Sequence, residues 1–264
     1  MEVKDIINEI LTSKKYSGID KNVIERITLE MSKRYKKSKD IIKAIKNELH
    51  IINVSFFENE SHRLASGLLL NSASADPTHD RLLSEAILSL HTSTDERNGY
   101  LKEIYTHFIG KYITHSTSVI DIGCGFNPFA LPFYSNLPCE YCALDINTET
   151  IDLINTYFSF FHNEKYSAKI LDAVIDTPSE PSNMIFLFKI LPLLEQQKKG
   201  RSIQLLQSLS FDKAVVSFPI KSMSGKNKGM EQFYSTFFEK LIENLYTIIE
   251  KKVIGNELFY VITR

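Results

Sequence analysis

The chain has 264 residues, 43% of them hydrophobic, and a formal net charge of −1, enough for one catalytic domain of ordinary size and a smaller appendage with its own core. No stretch nears the roughly 18 uninterrupted apolar residues of a membrane helix, and Met1-Glu2-Val3-Lys4-Asp5 has no apolar core for a signal sequence, so a soluble, cytoplasmic protein is expected. The three cysteines, Cys124, Cys139 and Cys142, are an odd number that fits a reducing compartment better than a disulfide framework.

Residues 1–52 carry apolar residues at helical spacing: Ile6, Ile7, Ile10 and Leu11, then Val23, Ile24, Ile27 and Met31, then Ile41, Ile42, Ile45 and Leu49. Three short amphipathic helices are predicted, the second capped by Asp20. The near-neutral whole-chain charge hides a local excess. Lys33, Arg34, Lys36, Lys37, Lys39, Lys43 and Lys46 are accompanied in that stretch only by Asp40, which marks either a solvated helix face or a surface for nucleic-acid phosphates. Residues 65–80, rich in Ser, Ala and Asn and containing Asp76-Pro77, read as a loop or local insertion.

From Arg81 onward apolar strands alternate with helices, the pattern of a parallel sheet covered on both faces. Strands are predicted near 118–122, 141–146, 167–171, 184–188 and 214–218, and a last pair, 247–254 and 257–263, is separated only by Gly255-Asn256. That spacing implies a terminal antiparallel hairpin. Cys139 and Cys142 form a CxxC in or beside the second strand, readable as packed thiols or as half of a zinc site. The expected fold class is α/β: a class I, Rossmann-like methyltransferase arrangement with a seven-stranded, mostly parallel sheet closed by a C-terminal hairpin, plus an N-terminal all-α domain. The boundary is placed between 1–85 and 86–264.

Val119-Ile120-Asp121-Ile122-Gly123-Cys124-Gly125-Phe126-Asn127-Pro128 runs from a strand into a glycine turn, which admits a ligand close to the backbone or is merely a tight turn. A dinucleotide fingerprint would carry a third glycine where Pro128 stands. Asp145 ends the second strand, 20 positions after Gly125, where a carboxylate can accept both ribose hydroxyls of an adenosine. Asp172 ends the third and can accept an adenine amino group; either aspartate is alternatively a helix N-cap. The fourth strand ends in Phe188-Lys189-Ile190-Leu191-Pro192, without the Asn or Asp before Pro-Pro that methylation of exocyclic amines uses. All three cysteines precede Asp145, so none stands where carbon-5 methylation of pyrimidines needs its nucleophile. What remains is a nucleophile with a free lone pair, such as guanine N7, which needs no general base. Beyond the fifth strand, Lys221, Lys226 and Lys228 lie in a loop suited to phosphates, with Met223 or Met230 available to wedge beside a base, unless the loop is simply a polar connection.

At these residues the chain resembles the Arm and Rmt family of 16S ribosomal RNA guanine-N7 methyltransferases, the aminoglycoside-resistance enzymes. The likeness runs through Ser13-Lys14-Lys15-Tyr16, Leu90-His91-Thr92-Ser93-Thr94-Asp95-Glu96-Arg97, Cys124-Gly125-Phe126-Asn127-Pro128, Phe188-Lys189-Ile190-Leu191-Pro192-Leu193-Leu194-Glu195 and the 217–231 loop. The resemblance implies methyl transfer from S-adenosylmethionine, with S-adenosylhomocysteine as product, to N7 of guanine 1405 in helix 44 of the assembled 30S subunit, and resistance to 4,6-disubstituted 2-deoxystreptamine aminoglycosides. It implies a monomer without membrane attachment, whose N-terminal helices dock on ribosomal RNA through Lys14, Lys15, Lys36 and Lys37 together with Lys221, Lys226, Lys228 and Met230. His91, Thr92, Ser93 and Arg97 match the segment over the methionine end of the cofactor, with Arg97 suited to its carboxylate. Phe56, Gly123, Asp145, Asp172, Ala173, Phe188 and Gln197 match further cofactor positions, Lys189 matches a lysine that positions the target base, and no residue is expected to act as acid, base or metal ligand. Methylation of adenine 1408 and a non-catalytic ribosome-binding relative are the competing readings.

Overall fold

The computed structural model describes residues 3–16, 18–52, 56, 60–72, 76–220 and 229–264. Helices α1 (Val3–Leu11), α2 (Lys21–Arg34) and α3 (Ser38–Ile52) each turn one apolar stripe inward. Ile6, Ile10, Val23, Ile24, Ile27, Ile41, Ile45 and Leu49 meet there, with Tyr16 and Ile19, in a small separate core. Asp20 caps α2 as expected, accepting the Asn22 N–H at 2.9 Å.

The next stretch differs from the sequence reading. Residues 65–70 belong to helix α4 (Ser61–Leu70), because Ala65 and Leu69, one turn apart, bury against the larger core. Helix α5 (Arg81–Leu88), capped by Asp80, buries Ile87 and Leu88 in that same core, and Ser84 Oγ donates to the Phe129 carbonyl at 2.6 Å. The small helical unit of α1 to α3 encloses its own core, whereas α4 and α5, also within residues 1–85, pack in the larger one. After the short helix α6 (Thr92–Asp95), the segment Lys102–Phe108 winds loosely, with the Ile109 N–H reaching back five residues to the Ile104 carbonyl.

The sheet comprises β1 (Ser118–Ile122), β2 (Glu140–Asp145), β3 (Tyr166–Ile170), β4 (Ser182–Phe188), β5 (Phe211–Pro219), β6 (Thr247–Ile254) and β7 (Glu257–Thr263). Their order is β3-β2-β1-β4-β5-β7-β6, with β1 to β5 parallel and β7 antiparallel between β5 and β6. Helices α7 (Thr148–Ser159), α8 (Ile190–Gln197), α9 (Arg201–Ser208) and α10 (Met230–Ile242) follow β2, β4, α8 and β5 in the chain. Alternate side chains enter different cores: Val119 and Phe186 pack with Phe126, Phe129 and Tyr157, whereas Ile120 and Leu187 pack with Leu191, Leu205 and Phe218. Covering both faces is what a parallel sheet requires. From β1 the chain crosses to β2 on one side and from β3 to β4 on the other, so a crevice opens at the carboxyl ends of the central strands. Among the described residues no helix is long and apolar enough to cross a membrane.

Candidate functional site

That crevice is a cleft of about 780 Å³ including its open mouth. Its floor is the turn after β1. Gly123 and Gly125 have φ of +68° and +47°, a region that penalises side chains. A Cβ at Gly123 would meet Ile190 Cδ1 at 2.5 Å, and one at Gly125 would meet His91 Nε2 at 2.8 Å. Both glycines line the cleft, so the turn can only be built without side chains if Ile190 and His91 are to close its walls.

Asp145 ends β2 beside this turn. Its carboxylate accepts the Gly125 N–H at 2.9 Å and the Asn147 N–H at 3.0 Å, tying the strand end to the glycine turn. Burial raises its pKa, and the hydrogen bonds from Gly125 and Asn147 oppose that shift. The cap of α7 is Asn147, which accepts the Thr150 N–H, so Asp145 faces the cleft instead of capping a helix. Asp172, after β3, accepts the Val174 N–H at 3.0 Å within a turn and also lines the cleft.

Of the residues singled out from the sequence, Phe56, His91, Ser93, Gly123, Asp145, Asp172, Ala173, Phe188 and Gln197 line this one cleft, with Lys189 among them. Phe56 and His91 stack in parallel, ring centres 5.7 Å apart, and His91 leans on Phe126 at 5.4 Å. Burial, aided by the Arg97 and Lys189 charges, holds the His91 pKa down to about 3, so the ring is neutral. The stability His91 contributes is therefore full above its ordinary value of about 6.5 and is lost as pH falls through about 3. Between pH 6.5 and 4, the wild type is expected to lose more thermal stability than His91→Gln. Parallel loss in both proteins, measured by calorimetry, would show that the ring is not held neutral.

Two of the expected cofactor contacts are placed elsewhere. Thr92 is an exposed residue at the start of α6 and does not line the cleft. Arg97, expected over a ligand carboxylate, is 2% exposed and spends its fork on Glu257, with Nε and a terminal nitrogen donating at 2.8 and 2.6 Å. The other terminal nitrogen donates to Tyr105 Oη and Asn127 Oδ1, and the guanidinium lies 4.6 Å from the Phe188 ring centre. Burial alone would raise the Glu257 pKa, but the Arg97 and Lys189 charges outweigh it and hold the carboxyl below its ordinary range. Ser217 Oγ donates to the same carboxylate.

Lys189 follows β4 in the left-handed region, φ +57°, a strain on the order of 1 kcal/mol for a residue with a side chain. Its ammonium donates to Glu96 at 2.5 Å and to the Ser93 carbonyl at 3.4 Å, and stands 3.4 Å from Glu257. The network continues beneath the floor: Asn127 accepts from Tyr105 at 2.6 Å and donates to Asp121 at 2.7 Å. Asp121 is fully buried, and burial pushes its pKa up to about 6.

Arg26, Glu96, Tyr105, Asp121, Asn127 and Glu257 were given no role in the sequence reading. Glu257 had a visible signal: it is the one acid opening a strand that is otherwise apolar through Ile262. Arg26 had none, since it lies on α2 and joins the cleft across 146 residues of chain. Lys14, Lys15, Lys36 and Lys37 are exposed on the small helical unit, and Met230 is half-buried at the start of α10. Lys221, Lys226, Lys228 and Met223 lie outside the described residues. Cys142 packs against the second core, and all three thiols are free.

A switch-point cleft with a carboxylate at the end of β2, under a sheet that finishes β5-β7-β6, defines a Rossmann-like methyltransferase. The family model for ribosomal RNA methyltransferase (FmrO) matches residues 12–261, and the chain belongs to that family. It is 33% identical over 264 residues to a Serratia marcescens protein named 16S rRNA (guanine(1405)-N(7))-methyltransferase, covering 100% of this chain and 99% of the relative. The crystal structure of the 16S rRNA methyltransferase RmtF in complex with S-adenosyl-L-homocysteine is 28% identical, with a TM-score of 0.90 over 100% of this chain and 99% of that one. The 16S rRNA methylase RmtB is 31% identical, with a TM-score of 0.83 over the same shares.

Proposed function

We propose that this protein transfers the methyl group of S-adenosylmethionine to N7 of guanine 1405 in helix 44 of 16S rRNA, acting as a cytoplasmic monomer on the 30S subunit and conferring resistance to 4,6-disubstituted 2-deoxystreptamine aminoglycosides. The observation that carries the reading is the convergence of Gly123, Asp145, Asp172, Phe188, Lys189 and Gln197 on one cleft in a chain of this family. The cleft fits the cofactor in its chemistry. Asp145 offers acceptors for ribose hydroxyls, Asp172 and Gln197 offer polar groups for adenine among Ile146, Leu171, Val174 and Leu193, and His91, Ser93, Phe188 and Lys189 complete the lining.

When bound, the cofactor supplies a methyl group on a cationic sulfur. Guanine N7 carries a lone pair and no proton, so no residue of the chain would have to remove one for it to accept that methyl group. The protein's part is alignment, which can supply about 7 to 11 kcal/mol. His91 is neutral, and Lys189 and Arg97 are matched by Glu96 and Glu257, so the cleft adds little net positive charge against a reaction that places a cation on guanine. Lys189 is a positioning residue for the target nucleotide. The exposed lysines of the small helical unit, Lys14, Lys15, Lys36 and Lys37, supply phosphate contacts, which fix register without reading sequence, and Lys221, Lys226 and Lys228 add to that charge in the sequence after β5.

The test is to incubate purified protein and cofactor with 30S subunits from a susceptible bacterium. After borohydride and aniline treatment, primer extension is expected to stop at guanine 1405, and cells expressing the protein are expected to resist gentamicin but not apramycin. An unmodified guanine, or a stop at adenine 1408, would overturn the assignment.

A further inference from the structure

Arg26 belongs to α2, in the small helical unit, yet its side chain forms part of the cleft wall. The guanidinium is nearly buried, with a side-chain exposure of 10%. Its Nε donates to Asp172 Oδ2 at 2.6 Å and a terminal nitrogen donates to Gln197 Oε1 at 3.0 Å. The remaining nitrogen donates to Glu30, one turn along α2, at 3.3 Å, and half-buried Glu48 faces the same charge. One rigid fork therefore spans two polar residues from different elements, the turn after β3 and the end of α8. Both flank the same end of the cleft.

The seat of α2 is fixed independently. The Asp20 N–H donates to the Ile146 carbonyl at 2.9 Å, the Thr148 N–H donates to the Gly18 carbonyl at 2.6 Å, and Ile19 pairs antiparallel with Asn147. Ile146 and Asn147 directly follow Asp145. The cap residue of α2 is thereby stitched to the loop that carries the ribose acceptor, and Arg26 follows less than two turns later. A carboxylate has about four lone-pair sites, so Asp172 keeps acceptor capacity after Val174 and Arg26 are served. The cation also offsets the cost of burying that carboxylate, whose side chain is 8% exposed.

We infer that Arg26 is a positioning residue for the purine of the cofactor: it holds Asp172 and Gln197 in the arrangement that reads adenine, and the purine end of the cleft is complete only with the three-helix unit seated. The inference rests on the reading that this cleft holds S-adenosylmethionine. Its chemical consequence is selectivity. A 6-amino purine donates to Asp172, whereas a 6-oxo purine presents an acceptor to an acceptor, and the penalty is largest when the carboxylate cannot turn away.

The experiment is calorimetric titration of the full chain with S-adenosylhomocysteine and with its 6-oxo analogue, S-inosylhomocysteine. The wild type is expected to bind the first and discriminate against the second. Arg26→Met is expected to weaken S-adenosylhomocysteine roughly tenfold, the scale of one hydrogen bond, and to narrow the discrimination. Arg26→Lys, which keeps the charge but cannot bridge both partners, is expected to narrow it too, with near-native thermal stability, and it serves if the Met variant does not fold. Unchanged affinity and discrimination in the folded variants would reduce Arg26 to a structural ion pair and overturn the inference. Tighter binding would overturn it as well, by making Arg26 a competitor of adenine for Asp172. A wild type that does not bind S-adenosylhomocysteine would instead defeat the reading of the cleft.

Discussion

Replacing Glu257 by alanine is expected to destabilise the protein by about 3 to 5 kcal/mol, the cost of leaving a buried charge without its partner. Arg97 is 2% exposed, and after the substitution its fork retains, among the described residues, Tyr105, Asn127 and the Phe188 face. Whole proteins hold roughly 5 to 15 kcal/mol of net stability, so this is a large share, and a fall in Tm on the order of 10 °C is expected for a chain of this size. Arg97→Met should cost a comparable amount, because among the described residues Glu257 then keeps Ser217 and the more distant Lys189. The double substitution to methionine removes both charges together and should recover much of the loss, since an apolar pair of similar volume often matches a buried ion pair. A single variant within 1 kcal/mol of wild type would show that the pair carries little of the fold. The double variant also decides what Arg97 does. If it still binds S-adenosylhomocysteine with near-native affinity, Arg97 is a brace between the α6 segment and β7; if affinity is lost while the fold persists, the arginine leaves Glu257 for the ligand carboxylate.

Local pattern carried most of the architecture. Each apolar stripe of α1 to α3 repeats every three or four residues, and β1, β2, β4 and β5 each contain a short apolar run, so periodicity separates the two textures, with β3, Tyr166-Ser167-Ala168-Lys169-Ile170, the weakest of the strands. The hairpin was legible because Gly255-Asn256 leaves room for nothing else. Helix α4 was not, since Ser61, Ser66 and Gly67 dilute its apolar spacing and what holds it is contact with the next helix, α5, and with the distant α7. The same distinction runs through the site. Gly123, Asp145 and Asp172 stand at strand ends, where topology sends them to one edge whatever surrounds them. The partners of Arg97 and Asp172 depend on how the terminal hairpin and α2 settle against that edge, over separations of 160 and 146 residues, and no local pattern encodes such distances.

Substituting Asp145 by alanine is expected to remove measurable binding of S-adenosylhomocysteine. A charged acceptor contributes about 1.5 to 3 kcal/mol per hydrogen bond, so two ribose hydroxyls lost together correspond to a weakening of roughly 100-fold to 10,000-fold. The same carboxylate also accepts the Gly125 and Asn147 amides, so part of any loss could come from a loosened glycine turn. The nucleoside separates the two effects. A 2′-deoxy analogue of S-adenosylhomocysteine lacks one of the hydroxyls, and the wild type is expected to bind it at least tenfold more weakly, about the contribution of one hydrogen bond. Asp145→Asn keeps the volume and one carbonyl oxygen but places an amide nitrogen against a backbone donor, so it should bind both ligands weakly and tell them apart poorly. If Asp145 serves only the turn, the variants will weaken both ligands by the same factor while the wild type ignores the missing hydroxyl. That pattern would remove Asp145 from the cofactor site and leave the carboxyl end of β2 as a structural corner.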